Sequence, residues 1–253
     1  MDVSARRDRF RELHASGTFV MPNPWDIGSA TMLARLGFPA LATTSGGHAA
    51  SLGKRDQQVT RDELLAHAAA LATAVDVPLN VDSERCFAAT PAGVAETVHL
   101  IGGTGAAGLS IEDYDPAAKR IEDLDVAVER VAAAAEAARV HGLVLTARAE
   151  NQLYGVGDLD DTIARLQAYR EAGAEVLYAP GLTDPADIAR VVAEAGGPVN
   201  VLARPTGPPV PALADLGVRR ISTGGALARA AYKALQAAAR ELLDEGTSTY
   251  AAG

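Results

Sequence analysis

Short apolar, β-branched runs alternate with longer alanine- and leucine-rich stretches of helical period along the whole chain. The runs at about 18–22, 40–44, 78–82, 108–112, 143–148, 174–179, 198–203 and 218–223 have strand length. Their near-continuous hydrophobicity is that of strands buried on both faces of a parallel sheet. Between them, stretches near 61–75, 91–101, 124–140, 159–172 and 185–195 predict helices. Thr60 with Glu63 forms a capping-box signature, and Thr90 before Pro91 reads as an N-cap with proline at the first helical position. Gly142, Gly173, Gly196 and Gly217 close helices ahead of the next strand. Eight strand–helix units without a linker or low-complexity break predict one α/β domain over residues 1–253, a closed (β/α)8 TIM barrel.

Composition narrows the partners. A formal net charge of -9 offers no basic patch to nucleic acid or to an anionic membrane, so the expected partner is a small molecule. One cysteine, Cys86, excludes an internal disulfide framework and suits a reducing compartment. No apolar stretch approaches the roughly 20 residues that span a bilayer, and the first ten residues form a charged helical pattern without a signal-peptide core. A soluble cytoplasmic protein is the expectation.

Active sites of such barrels lie at the C-terminal strand ends. Three of those ends carry charge: Val81-Asp82-Ser83-Glu84, Ile111-Glu112-Asp113 and Thr146-Ala147-Arg148-Ala149-Glu150. If the chain stays extended, Asp82 and Glu84 point to one side, with Glu112 facing them from the next strand. Clustered carboxylates repel one another unless a cation intervenes, which makes Mg²⁺ the first expectation and Mn²⁺ the second. The competing role for these acids is helix capping or pairing with Arg85, Lys119 and Arg120. Arg148 has the fork that grips a carboxylate or phosphate, or else pairs with Glu150. Ser45-Gly46-Gly47 either turns backbone N–H groups toward an anion or makes a tight turn. Gly224-Gly225 either lines an anion site or starts a helix.

Two long polar connections, Ser45–Asp56 and Asp113–Asp125, read as lids or binding loops. His48, on the first, is the only histidine at an expected active end and a candidate proton carrier; the alternative is a solvated loop residue. Tyr154 and Tyr178 are the other candidates, or packing residues. Cys86 reads as inert filler before it reads as a reactive thiol.

Taken in order, Asn23-Pro24-Trp25-Asp26, Thr44-Ser45-Gly46-Gly47 with Leu52-Gly53-Lys54-Arg55-Asp56, Val81-Asp82-Ser83-Glu84, Ser110-Ile111-Glu112-Asp113 and Thr146-Ala147-Arg148 span nearly the whole chain. This set resembles the isocitrate lyase/phosphoenolpyruvate mutase superfamily. The resemblance implies a barrel whose C-terminal helix is exchanged between subunits of a homo-oligomer, a dimer or tetramer. It also implies Mg²⁺-dependent making or breaking of C–C or C–P bonds in 2-oxo acids. By match to its motifs, Asp82 would bind the metal directly, with Glu84, Glu112 and Asp56 holding it through water. Ser45, Gly46 and Gly47 would bind the substrate carboxylate and Arg148 an oxyanion. Trp25, Asp26 and Asn200 are further substrate-binding candidates, and Asp56 and His48 join Arg148 as catalytic ones.

The sequence departs from the pattern at informative places. Lys119-Arg120-Ile121-Glu122 stands where the lyases carry Lys-Lys/Arg-Cys-Gly-His, so their cysteine acid/base is missing, and the asparagine of the C–P enzymes is missing too. Cys86 and Ala88 replace both glycines of the Asp-x-Asp-x-Gly-Tyr-Gly run, and Asn200-Val201-Leu202-Ala203-Arg204 lacks the lyases' threonine-glutamate pair. The expected activity is C–C cleavage of a small 2-oxo or 2-hydroxy carboxylic acid through an enolate, by decarboxylation or aldol-type cleavage. The alternatives are a phosphonopyruvate hydrolase or phosphoenolpyruvate mutase, and a non-catalytic barrel that binds a carboxylate.

Overall fold

The structure, a computed structural model, describes residues 1–251. Its strands are β1 (Phe19–Met21), β2 (Leu41–Ala42), β3 (Leu79–Asp82), β4 (Gly108–Glu112), β5 (Val144–Arg148), β6 (Val176–Tyr178), β7 (Val199–Leu202) and β8 (Arg220–Ser222). Each lies inside its predicted run. All pair in parallel in the order β1-β8-β7-β6-β5-β4-β3-β2, and helices cover the outside. The β2–β1 seam has no ladder, but it is stitched by the Ala42 N–H donating to the Pro22 carbonyl at 3.1 Å and by Asn23 Nδ2 donating to the Thr43 carbonyl at 2.7 Å. The sheet is thus nearly closed into a TIM barrel.

Local chemistry sets the helix ends. Thr60 and Glu63 form the expected reciprocal capping box, and Thr90 caps the helix Pro91–Gly102 with proline in its first turn. At the N-terminal face of the barrel the helix Val3–Leu13 lays Phe10, fully buried, across the strand starts. Gly108 permits that plug, because a Cβ there would stand 2.6 Å from the Phe10 ring. One face is therefore filled with side chains and only the C-terminal face can hold a ligand.

Neither long connection is an open lid. Ser45–Ser51 is a helix, N-capped by the Thr44 hydroxyl, which accepts from the Gly47 N–H at 3.4 Å. A side chain at Gly47 would stand 2.6 Å from Thr44 Cγ2 and 3.0 Å from Trp25 Cβ, so this glycine serves close packing. In the second connection, Tyr114–Asp115 and Arg120–Ile121 pair as an antiparallel hairpin. Glu122 anchors it from below through buried ion pairs with Arg85 and with Arg130, the latter at 3.1 Å. Tyr114 stacks on Tyr154 with ring centroids 3.9 Å apart.

The last helix, Ala226–Asp244, buries only Ala228 and leaves Leu235 64% and Leu243 84% exposed. No helix among the described residues is long and apolar enough to cross a membrane.

Candidate active site

A cavity of about 160 Å³ lies at the C-terminal strand ends, lined by residues from β1 through β8 and by Arg229 at the start of the last helix. Strand register builds its wall as a ring. Asp82 pairs with Ser110, Glu112 with Arg148, Arg148 with Tyr178, Tyr178 with Asn200 and Asn200 with Arg220.

One half of the wall is acidic. Asp82 Oδ1 accepts from Arg148 Nη1 at 2.8 Å and Oδ2 accepts from the Ser45 N–H at 3.0 Å. Arg148 also reaches Glu112 at 3.3 Å and Glu150 at 2.7 Å, and its Cζ lies 5.3 Å from the Tyr178 ring centroid. Arg148 thus makes the pair with Glu150 that was the alternative reading, and it also lines the cavity. Burial works to lower the Arg148 pKa, but Glu150, Asp82 and Glu112 together hold it well above its ordinary value. Glu112, buried against the same guanidinium, accepts from Gln57 Nε2 at 2.9 Å, and burial raises its carboxyl well above the usual range.

Glu84 departs from the expected geometry. Its φ of 49° takes the chain out of the extended path, so it does not stand beside Asp82 on one side of a strand. The residue is mostly buried, its carboxylate has no hydrogen-bond or ion-pair partner among the described residues, and burial, then Asp82 and Asp56, push its pKa up to about 8. Asp56 lines the cavity, and its pKa is raised by burial and by Asp82. Cys86, at a position where the related motif has glycine, takes φ 60°, and Phe87 takes φ 53°. Left-handed backbone at non-glycine residues costs about 1 kcal/mol or more each, and it clusters here beside the acids.

Among the described residues, no three or more His, Cys, Asp or Glu side chains are arranged to hold a metal ion by themselves. Of the expected metal-site acids, Asp82 and Asp56 line the cavity, whereas Glu84 and Glu112 do not, and Arg148 stands between Asp82 and Glu112. The donor set nonetheless fits a hard divalent cation bound through one carboxylate and waters. A carboxylate with no cationic partner, its pKa raised by Asp82 and Asp56 as well as by burial, marks a surplus of negative charge, which such an ion relieves.

Other expectations need correction. His48 is not a solvated lid residue but is buried in the helix Ser45–Ser51, where it stacks on His67 with ring centroids 3.7 Å apart. It does not line the cavity, and burial lowers its pKa, so it has no route to a substrate. Asp26 faces solvent as the N-cap of the helix Ile27–Arg35, in a capping box with Ser29. Trp25 packs toward Tyr232, with ring centroids 6.5 Å apart, and stays outside the cavity lining, as does Gly47. Ser45 and Gly46 do line it, although the Ser45 N–H is taken by Asp82. Asn200 lines it too, accepting from Arg220 Nε at 2.9 Å and donating to Ser222 Oγ at 3.0 Å. Tyr154 is engaged in its stack with Tyr114, whereas Tyr178 lines the cavity. Cys86 is fully buried, and burial raises its thiol to about 11, which makes it inert.

Sequence reasoning missed Asn23, Asn80, Gln57, Arg220 and Arg229. Asn23 sits in a quoted motif, and the inward alternation of β3 would have marked Asn80. Arg220 lies at the start of a strand and Arg229 inside a helix, where nothing in the pattern signals a cavity.

The family described as phosphoenolpyruvate phosphomutase matches residues 10–243. A crystal structure of a candidate lyase/mutase from Burkholderia cenocepacia J2315 superposes with a TM-score of 0.94 at 50% identity, over 98% of this chain and 91% of that one. Oxaloacetate acetylhydrolase in complex with the product oxalate superposes with a TM-score of 0.89 at 27% identity, over 98% and 89%. In sequence, 2-methylisocitrate lyase of Escherichia coli (strain K12) is 36% identical over 164 residues, 61% of this chain and 55% of that protein.

Proposed function

The chain belongs to the phosphoenolpyruvate phosphomutase family, within the isocitrate lyase/phosphoenolpyruvate mutase superfamily, and on that premise we propose that it is a Mg²⁺-dependent carbon–carbon lyase. Its substrate would be a small 2-oxo or 2-hydroxy carboxylic acid, cleaved by decarboxylation or in an aldol-type step. The observation that carries this reading is the acidic wall: Asp82 and Asp56 on the cavity, Glu84 and Glu112 close by, and Arg148 among them. The named lyase and hydrolase relatives act on carboxylic acids of this kind.

Asp82 would hold the ion directly, with Asp56, Glu84 and Glu112 engaging its waters. When bound, Mg²⁺ would supply a Lewis acid for the substrate's carbonyl and carboxylate oxygens, with Mn²⁺ as the second candidate. Arg148 fixes Asp82 and places a permanent positive charge beside the oxygen on which negative charge develops as the C–C bond breaks. The Gly46 segment would receive the substrate carboxylate, and Asn200 and Tyr178 would bound the space available to it. Asp56 is the acid on the cavity wall placed to carry a proton. The exposed apolar face of Ala226–Asp244 supports a homo-oligomer in which this helix is exchanged or docked between copies.

Chelator-stripped protein should be assayed with oxaloacetate, substituted malates, 2-methylisocitrate and phosphonopyruvate, with and without Mg²⁺. A 2-oxo acid product formed only with Mg²⁺, and without phosphate, is expected. Phosphate release from phosphonopyruvate would overturn the proposal in favour of C–P chemistry. A thermal shift without turnover of any of them would overturn it in favour of a binding protein.

A further inference from the structure

The floor of the cavity carries a charge that the protein does not answer. The helix Val3–Leu13 closes the barrel from below with Phe10, and His14 stands edge-on to Phe10 with ring centroids 4.8 Å apart. Two polar side chains lie beside this plug and line the cavity above it, Arg220 at the start of β8 and Asn80 on β3. Arg220, 2% exposed, donates from Nε to Asn200 Oδ1 at 2.9 Å, from Nη2 to Thr146 Oγ1 at 3.0 Å and from Nη1 to His14 Nε2 at 3.3 Å. His14 Nδ1 lies 2.8 Å from the Phe10 carbonyl and must donate to it, so Nε2 is the bare, accepting nitrogen. All three partners are therefore neutral, and no acid pairs with Arg220 among the described residues. Burial, with the charge on Arg148 adding to it, lowers the Arg220 pKa to about 9, which still leaves it protonated at neutral pH.

A guanidinium has five N–H donors; three of Arg220's are used and two remain free. The Asn80 amide, 3% exposed, makes no hydrogen bond with any described residue, and its Oδ1 is buried. Water could satisfy these groups but would leave the charge standing, and a buried cation without a counter-charge is costly. We propose that the floor binds a small inorganic monoanion of halide size, held by the free N–H groups of Arg220 and by the Asn80 amide. One negative charge completes the site. Strand register keeps it apart from the reacting end: Asn80 precedes Asp82 by two residues on β3, and Thr146 precedes Arg148 by two on β5. A strand rises about 3.3 Å per residue, so the floor lies roughly 5–7 Å below the layer of Asp82 and Arg148. The ion is thus a fixture of the barrel and no part of the substrate, and through Arg220 it holds Asn200 and Ser222 in place.

Bromide, which stands in for chloride and scatters anomalously, locates the ion. Crystals of the full chain in bromide should show one anomalous peak against the Arg220 guanidinium, and the peak should persist when Mg²⁺ and oxalate are added. In solution, replacing a bulky sulfonate salt by bromide at constant ionic strength should raise the wild-type melting temperature by about 3 °C or more. Arg220→Gln should lose that rise. Asn80→Leu, which fills the floor and leaves Arg220 intact, should lose it too, and it carries the test if Arg220→Gln does not fold. No peak at the floor, no rise in the wild type, or the same rise in wild type and variants would overturn the proposal. A peak that oxalate displaces would overturn it as well, giving the floor to the ligand's own carboxylate. The acidic wall is untouched by any of these results, since the floor is read without it.

Discussion

The two halves of the cavity wall solve opposite electrostatic problems with unequal economy. The acidic half packs Asp82, Glu112 and Glu150 around a single guanidinium, so most of its charge is matched within the protein and the surplus is left on Glu84 and Asp56. The cationic half leaves buried Arg220 on neutral partners only, with solvent-exposed Arg229 at its rim. A wall that is nearly self-neutral can stand preorganised and accept an ion with its waters. A wall that is not neutral has to be completed by a bound anion. On the proposed function, the acidic half would position the metal and the reacting end, and the cationic half would face the remainder of the molecule.

The largest expected effect breaks the acidic half outright. Asp82→Ala should reduce Mg²⁺-dependent turnover by roughly 10³-fold or more, since it removes the one acid placed to contact the ion directly, while the fold persists. Steady-state rates beside a melting curve check this. Arg148→Lys comes next. Lysine keeps the charge but cannot span Asp82, Glu112 and Glu150 at once, so activity should fall by roughly two orders of magnitude with a small change in melting temperature. A rate near that of the wild type would mean that the three-way bridge is structural only.

The His48–His67 stack sharpens the comparison, because it supports the helix whose first N–H holds Asp82. Burial and the neighbouring His48 lower the His67 pKa to about 4, so the folded protein keeps it neutral where the unfolded chain would protonate it. The stability that follows is fully present above the ordinary histidine value of about 6.5 and is lost as pH falls from there toward 4. His67→Phe should keep the stack and flatten that acid limb, leaving it about 1–3 kcal/mol less steep in denaturant titrations between pH 6.5 and 4. The smallest effect is expected at Glu84. Its carboxylate has no partner, so Glu84→Gln should stabilise the chelator-treated protein by about 1 kcal/mol and weaken its response to Mg²⁺. Urea melts with and without the ion would show both.

The same contrast explains what could be read before folding. All eight strands were legible because burial on both faces writes a continuous apolar run, and Asp82, Glu112 and Arg148 were legible because each ends such a run. The helix Ser45–Ser51 was not. Two adjacent glycines cost a helix about 1 kcal/mol each, and only packing against Trp25 and Ala228, invisible along the chain, reverses that preference. With the helix came the burial of His48, which the loop reading had placed at the active end. The cationic half stayed hidden for a further reason: Arg220 opens a strand rather than closing one, and yet its side chain lines the cavity beside Asn200 of the neighbouring strand. Arg229 looks like any charged residue on a helix until Gly225 is seen to make room for it.

The central claim is that the acidic half holds one divalent ion at which the reacting end of a carboxylate is gathered. Electron paramagnetic resonance of Mn²⁺ titrated into chelator-stripped protein tests it most directly. One bound ion per chain is predicted, with its signal altered and its affinity raised by oxalate, and with both effects gone in Asp82→Ala. A wild-type protein that binds no Mn²⁺, or an Asp82→Ala protein that binds it as the wild type does, would contradict the account.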